Sequence, residues 1–183
     1  MQSSRVFANI EVAPKMPVIV IMGVSGSGKS VVGRALSVRL NVPFCEGDNL
    51  HPAANIAKMK MGNPLDDVDR APWLARVASW IKDHPGGGVV TCSALRRRYR
   101  NRLREDQLVL PSMVLLDPPP AVVKWRLDGR EAHFMPASLL YSQIRTLEPP
   151  SADEEVLVLA GTEPPELLVD QIDVWFSAQM KKH

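Results

Sequence analysis

The sequence is short of cysteine, of aromatic residues and of net charge. Cys45 and Cys92 are the only cysteines among 183 residues, too few for a framework of disulfide bonds, and they fit a reducing, cytoplasmic compartment. The 22 Lys and Arg residues nearly balance the 20 Asp and Glu residues. No overall field therefore marks the protein as a nucleic-acid or membrane binder, and we expect neither partner.

Long apolar segments are also missing. No apolar run approaches the roughly 20 residues that cross a bilayer, and Asn9 and Glu11 interrupt the first residues, which removes the continuous apolar stretch of a secretory signal. We expect residues 1–15 to form a flexible tail. Residues 16–183 are long enough, and at 45% hydrophobic content apolar enough, to form a single domain around one core.

Short apolar runs alternate with amphipathic segments along the rest of the chain. The runs that predict strands are Val18–Met22, 42–45, 89–92, 113–116 and Val156–Leu159. Helical spacing follows each run, including a segment at 51–61 and one from Arg70 to about Lys82 with Asp69 as its cap. Such alternation predicts an α/β three-layer sandwich with a five-stranded parallel sheet, and Val18–Met22 is expected at its centre.

A glycine-rich loop follows the first predicted strand. Residues 23–30 read GVSGSGKS and match the phosphate-binding pattern G-x-x-x-x-G-K-[ST] at every fixed position. Lys29 is placed to reach the β- and γ-phosphates of ATP, and the Ser30 hydroxyl to ligate the Mg²⁺ that bridges them. The predicted ATP-binding residues of the loop are Gly23, Val24, Ser25, Gly26, Ser27, Gly28, Lys29 and Ser30.

Two missing elements narrow the class of nucleotide-binding protein. No N-K-x-D guanine-reading element occurs, and the strand at 89–92 runs into Ser93 and Ala94 instead of the aspartate of a Walker B strand. These absences favour a compact kinase over a GTPase or a motor. The loop by itself does not identify the acceptor of the phosphoryl group.

A carboxylate lies at the predicted carboxyl end of the second strand. In an open α/β sheet this edge is where ligands bind, and Asp48 there is suited to accept the proton of an attacking hydroxyl or to hold Mg²⁺ through water. The alternative is that Asp48 caps the helix that begins near His51.

Several blocks of the sequence resemble the gluconokinases of the thermoresistant type. The matching blocks are MGVSGSGKS at 22–30, GDNLHP at 47–52, N-I-x-K-M at 55–59, PLDDxDRxPWL at 64–74, CSALRxxYR at 92–100, HF at 133–134 and TLEP at 146–149. The resemblance implies the P-loop fold of shikimate kinases and nucleoside-monophosphate kinases. It also implies transfer of the ATP γ-phosphate, with Mg²⁺, to the 6-hydroxyl of D-gluconate, by a protein that is usually a homodimer.

The resemblance assigns roles to individual residues. Lys29 and Asp48 are the catalytic candidates, with Asp48 as the base, and Arg70 is placed to pair with the substrate carboxylate. The predicted substrate-binding residues are Asp48, His51, Lys58, Arg70, Arg96 and His133. Plainer alternatives remain open for three of these residues. Arg70 could form a surface ion pair with Asp66 or Asp67. His51 could simply occupy the start of a helix, and Lys58 could lie on a solvated helix face.

Other basic residues lie in three further regions. The arginines at 96–104 are expected to be mostly solvated, although Arg96, with Arg100 as a second candidate, starts on the ligand-bearing edge. The resemblance implies acceptor-binding helices at about 49–84 and a lid at about 126–136, where Arg126 and Arg130 would contact ATP. Thr162, in the loop after the last strand, is expected beside adenine, although a plain turn explains it equally well.

Competing functions remain at the level of sequence. A kinase of the same fold acting on shikimate, another sugar acid or a nucleotide monophosphate is the nearest alternative. The arginine cluster beside Tyr99 suggests a different class, a nucleic-acid-end kinase or a nucleotide-gated binding module. The balance of charges argues against that second class.

Overall fold

The computed structural model describes residues 16–129 and 137–181. The strands are β1 (Val18–Met22), β2 (Phe44–Cys45), β3 (Gly88–Thr91), β4 (Ser112–Leu116) and β5 (Val156–Leu159). The helices are α1 (Lys29–Leu40), α2 (Ala53–Lys60), α3 (Asp67–Lys82), α4 (Arg97–Arg104), α5 (Pro120–Asp128), α6 (Ala137–Thr146) and α7 (Pro165–Met180). Two short 3₁₀ helices cover Gly47–Leu50 and Ala152–Glu154.

The strands form one parallel sheet in the order β2-β3-β1-β4-β5. Val20 of β1 lies opposite Val90 of β3 on one side and Met113 of β4 on the other. All five residues of β1 are buried, as expected for a β-branched strand that is covered on both faces. The predicted five-stranded parallel sheet and its central strand are confirmed.

The alternation of side chains along β1 divides the core into two layers. Val18, Val20 and Met22 pack with residues of α3 and α4, whereas Ile19 and Ile21 pack with residues of α1 and α7. Because successive strand residues point to opposite faces, one apolar strand supplies both layers. The result is the predicted three-layer sandwich.

A third, smaller apolar cluster lies where the phosphate loop meets α5 and α6. It joins Val24 of the loop to Val123 of α5 and Leu140 of α6, with Leu95 completing it. The sequence patterns described above predict no helix at 137–146. This unpredicted helix brings further polar side chains to the edge of the sheet where the loop lies.

The start of α3 differs from its predicted position. The helix begins at Asp67, and Asp66 is its cap, because the Asp66 carboxylate accepts the Asp69 N–H at 2.9 Å while Asp69 accepts the Asp66 N–H at 2.9 Å. This reciprocal pair is a capping box. The prediction that Asp69 caps a helix beginning at Arg70 is therefore wrong. Among the described helices, none combines the length and apolarity needed to span a membrane.

Candidate active site

The glycine-rich loop joins β1 to α1 in a conformation that requires its glycines. Gly23, Gly26 and Gly28 have φ angles of +138°, +79° and +104°. A Cβ on Gly23 would lie 2.4 Å from the Leu116 carbonyl oxygen, and one on Gly26 would lie 2.9 Å from Leu127. The loop then enters α1, whose first N–H groups have no acceptor within the helix and favour an anion.

Lys29 and Ser30 occupy the first turn of α1. The Lys29 ammonium donates a hydrogen bond to the Val24 carbonyl at 2.8 Å, so it lies over the loop. Ser27 is 1% exposed, and its hydroxyl has no hydrogen-bond partner in the described part of the chain. Bare backbone, one ammonium and one buried unpaired hydroxyl form a cradle that fits a phosphate chain.

A cavity of about 260 Å³ opens beside the loop, at the carboxyl edge of the sheet. The elements after β1, β2 and β3 contribute to it, and α2, α3 and α6 close its sides. Its polar lining includes Lys29, Asp48, His51, Arg70, Ser93 and Gln143. The cavity thus joins Lys29 of the phosphate loop and three of the predicted acceptor-binding residues, Asp48, His51 and Arg70, in one space.

Asp48 is held in the 3₁₀ helix that follows β2. The preceding Gly47 donates its N–H to Thr91 Oγ1 at 3.0 Å and accepts a hydrogen bond from Trp73 Nε1 at 2.8 Å. A Cβ on Gly47 would lie 1.8 Å from the Thr91 carbonyl oxygen, so this position accepts only glycine. Helix α2 begins after Pro52 with no side-chain cap. The alternative that Asp48 caps this helix is therefore excluded, and its exposed carboxylate lines the cavity.

Arg70 projects from the first half of α3 into the same cavity. Its Nη1 lies 3.5 Å from the Tyr99 hydroxyl, and its guanidinium carbon lies 5.6 Å from the centre of the Tyr99 ring. Asp66 and Asp67 pair instead with Lys58 and with Arg96 and Arg98. The alternative of a surface ion pair for Arg70 with Asp66 or Asp67 is excluded within the described residues.

His51 lies between the 3₁₀ helix and α2, and it is 8% exposed. Its ring stacks on Trp73, with 4.2 Å between ring centres and 13° between planes. Burial, with a smaller contribution from Arg70 and opposition from Asp48, lowers the pKa of His51 from 6.5 to about 4. The imidazole that lines the cavity is therefore neutral at pH 7.

Known proteins with similar sequences include several gluconokinases. No family model matches the chain. It is 46% identical over 164 residues to the gluconokinase of Gluconobacter oxydans (strain 621H), covering 88% of this chain and 92% of that protein. It is 41% identical over 156 residues to the thermoresistant gluconokinase of Escherichia coli (strain K12), covering 83% of this chain and 89% of that protein. The chain belongs to the gluconokinase family.

Solved structures agree with this membership in the gluconokinase family. A gluconokinase from Sinorhizobium meliloti 1021 superposes with a TM-score of 0.83 at 40% identity, covering 91% of this chain and 94% of that one. An APS kinase from Mycobacterium tuberculosis (TM-score 0.64, 21% identity, 87% and 96% covered) shows the fold alone. A shikimate kinase from Aquifex aeolicus, with a TM-score of 0.61 at 18% identity over 88% of this chain and 97% of that one, also shows the fold alone. The predicted P-loop kinase fold of the shikimate-kinase type is confirmed.

Some basic residues singled out by the family resemblance lie outside the cavity. Lys58 pairs with Asp66 and Asp69 of the capping box, and Lys60, two residues further along α2, lines the cavity instead. The Arg96 guanidinium lies 3.9 Å from Asp67 and does not line the cavity. The structure therefore brings neither Lys58 nor Arg96 to the site.

Arg100 is not available to an acceptor. It is 1% exposed and forms an ion pair with Glu154, so its second-candidate role is wrong. Arg126 donates to the carbonyl oxygens of Ser27 and Gly161 at 3.1 Å and 2.7 Å. It thus links the phosphate loop to the loop after β5, where Thr162 is exposed. Arg130 and His133 lie outside the described residues.

Several polar residues of the cavity were missed at the level of sequence, and Gln143 makes a direct hydrogen bond to the phosphate loop. Gln143 on α6 accepts the Ser25 N–H at 2.7 Å through its side-chain oxygen, and it lines the cavity. The helical spacing of Leu140, Ile144 and Leu147, all in the third apolar cluster, is the signal that could have placed α6 against the loop.

Proposed function

We propose that this member of the gluconokinase family transfers the γ-phosphoryl group of ATP to the 6-hydroxyl of D-gluconate, giving 6-phospho-D-gluconate. The observation that carries the proposal is the single cavity lined by Lys29, Asp48 and Arg70. Lys29 suits the phosphates of ATP, Asp48 suits the reacting hydroxyl, and Arg70 suits the carboxylate of the acceptor.

The phosphate loop supplies the nucleotide side of this reaction. Residues 23–30 and the N-terminus of α1 present N–H groups to the phosphates of ATP. Lys29 would exchange its bond to the Val24 carbonyl for the β- and γ-phosphates and so offset the charge that develops during transfer. Ser30 would hold Mg²⁺, which would help to neutralise the phosphate charge.

Asp48, Arg70 and His51 supply the acceptor side. Asp48 accepts the proton of the attacking hydroxyl, as its exposed carboxylate at the carboxyl edge of the sheet allows. Arg70 pairs with the gluconate carboxylate, where a planar guanidinium offers two parallel donors. His51 hydrogen-bonds a substrate oxygen. Together the three residues orient a hydroxylated acid along the cavity.

The acceptor is tested by measuring ADP release with Mg²⁺-ATP and a panel of candidate acceptors. The panel contains gluconate, shikimate, other sugar acids and nucleotide monophosphates, and a Lys29→Ala variant supplies the background rate. We expect the highest kcat/KM with gluconate. If another acceptor were turned over and gluconate were not, gluconate would be wrong as the assigned acceptor.

The remaining features of the proposal concern organisation. We propose that residues 49–84 form the acceptor-binding part and residues 126–136 a lid, in which Arg130 and His133 approach the substrates after closure. We also propose that the protein is a homodimer, as is usual in the family. Light scattering on the purified protein would measure its molar mass and test this. Cys45 and Cys92 are free thiols, which supports a reducing, cytoplasmic setting.

A further inference from the structure

The side chain of Asn55 connects two parts of the acceptor site. Asn55 lies in the first turn of α2 and is 4% exposed. Its Nδ2 donates to the Asp69 carbonyl oxygen on α3 at 2.7 Å, and the same nitrogen lies 3.3 Å from Nδ1 of His51. One buried amide group therefore bridges the helix that carries Arg70 and the imidazole that lines the cavity.

The orientation of the Asn55 amide follows from its backbone partner. The Asp69 carbonyl oxygen can only accept a hydrogen bond, so the atom at 2.7 Å must be the nitrogen. The reversed amide would place two oxygen atoms at this distance. Because the nitrogen carries two protons, its second N–H is available to Nδ1 of His51.

The tautomer of His51 follows in turn. An Nδ1 atom that faces an N–H donor must itself be unprotonated, and a neutral imidazole carries a single proton, which must then be on Nε2. Of the charged groups that face the ring, Asp48 favours the protonated imidazolium and Arg70 opposes it, while burial makes the larger contribution and keeps the pKa low. Within the ranges 16–129 and 137–181, the side-chain hydrogen bond of His51 is at Nδ1, and Nε2 has no protein hydrogen-bond partner.

We propose that Asn55 is a positioning residue that holds His51 as the Nε2–H tautomer, so that His51 donates a hydrogen bond to an oxygen of the acceptor. This inference rests on the proposed function for the identity of that acceptor. It separates two roles, since Asp48 takes the hydroxyl proton while His51 keeps its own. Stacking on Trp73 fixes the plane of the ring, and Asn55 fixes which nitrogen bears the proton.

The tautomer is measured directly on the free enzyme by NMR. Protein labelled with ¹⁵N at histidine gives long-range ¹H–¹⁵N correlations that distinguish protonated from unprotonated ring nitrogens, and His51→Gln assigns the signals. At pH 7 we expect a protonated Nε2 and an unprotonated Nδ1 in wild type. In Asn55→Ala the two tautomers are expected to mix, whereas in the exposed-residue control Asn101→Ala the spectrum of His51 stays unchanged.

The donor role is measured by comparing substitutions of His51 itself. His51→Gln retains an N–H and is expected to keep most of the wild-type kcat/KM for the acceptor. His51→Ala is expected to lose about tenfold, the size of one neutral hydrogen bond. KM for ATP should remain within about twofold in both variants.

The results that overturn the proposal differ from those that overturn the function. A protonated Nδ1 in wild type, or an unchanged tautomer in Asn55→Ala, excludes the positioning role whatever the substrate is. Equal activity of His51→Gln and His51→Ala excludes the donor role, even where Asn55→Ala fails to fold. Absence of turnover with gluconate bears only on the proposed function, because the NMR measurement needs no substrate.

Discussion

Arg100 and Glu154 form a buried ion pair through two hydrogen bonds, from Nε to Oε2 at 2.6 Å and from Nη2 to Oε1 at 2.8 Å. Their side chains are 1% and 2% exposed. Arg100 also donates to the Glu148 carbonyl at 3.1 Å, and the Glu148 N–H donates to the Leu95 carbonyl at 2.8 Å. The pair therefore fastens the segment between α6 and β5 to a wall of the cavity.

Removing the acidic partner of this pair is expected to destabilise the fold strongly. Glu154→Gln leaves the Arg100 charge buried without a counter-charge, which costs about 3–5 kcal/mol of unfolding free energy. Urea denaturation followed by circular dichroism measures the loss. Asp153→Asn is the matched control, because Asp153 pairs with Arg97 on the surface and should change stability little. Equal effects of the two substitutions would contradict the buried role.

The same pair predicts how stability depends on pH. Hydrogen bonding from Arg100 lowers the pKa of Glu154 from 4.5 to about 2. Since the folded-state pKa is the lower one, its stabilisation is complete above pH 4.5 and is lost as the pH falls towards 2. Thermal unfolding across this range is expected to show a steeper fall for wild type than for Glu154→Gln. Parallel curves would show that Glu154 does not contribute to acid unfolding.

The phosphate loop predicts a loss of turnover without a loss of fold. Lys29→Ala removes the ammonium that offsets phosphate charge, and we expect kcat to fall by about 10²–10³-fold, as for one preorganised charge or donor. Circular dichroism checks that the fold persists. Lys82→Ala, at an exposed position at the end of α3, should behave as wild type. Retention of most activity by Lys29→Ala would mean that the loop is not catalytic here.

The proposed base predicts an effect on chemistry and not on nucleotide binding. Asp48→Asn keeps the shape of the side chain but cannot take the hydroxyl proton, so kcat should fall by about 10²–10⁴-fold. KM for ATP should change far less. Asp83→Asn, at the exposed end of α3, is the matched control. A wild-type kcat in Asp48→Asn would remove Asp48 from the reaction.

The proposed carboxylate partner predicts an effect on the acceptor alone. Arg70→Lys keeps the charge but loses the two-pronged geometry, and KM for gluconate should rise by about 10-fold or more while KM for ATP changes little. Arg98→Lys, on the surface beside Asp67, provides the control. An unchanged KM for gluconate in Arg70→Lys would place the substrate carboxylate elsewhere in the cavity.

Features encoded by neighbouring residues were predictable from sequence. The central strand Val18–Met22 and the loop at 23–30 form one continuous pattern, and both have their predicted places. The cavity position of Asp48 was also predictable, because it follows β2 at the ligand-binding edge of the sheet. In each case the deciding information lies within a few residues of chain.

Features that depend on distant partners were not predictable. Arg100 was the second candidate for facing the acceptor, yet it is buried in an ion pair with Glu154, 54 residues away. Gln143 reaches Ser25 across 118 residues.

The start of α3 was misplaced for a local reason. Asp66 and Asp69 are both good caps, and only their reciprocal hydrogen bonds decide which of them caps the helix.

Gly47 limits how the specificity of this enzyme can be changed by directed evolution. Because any side chain there would collide with the backbone of β3, the segment that presents Asp48 cannot be remodelled at that position. Ile56, Met59 and Leu65 line the cavity with apolar side chains. Variant libraries aimed at longer or shorter sugar acids are therefore better directed at cavity-lining positions such as these three than at Gly47.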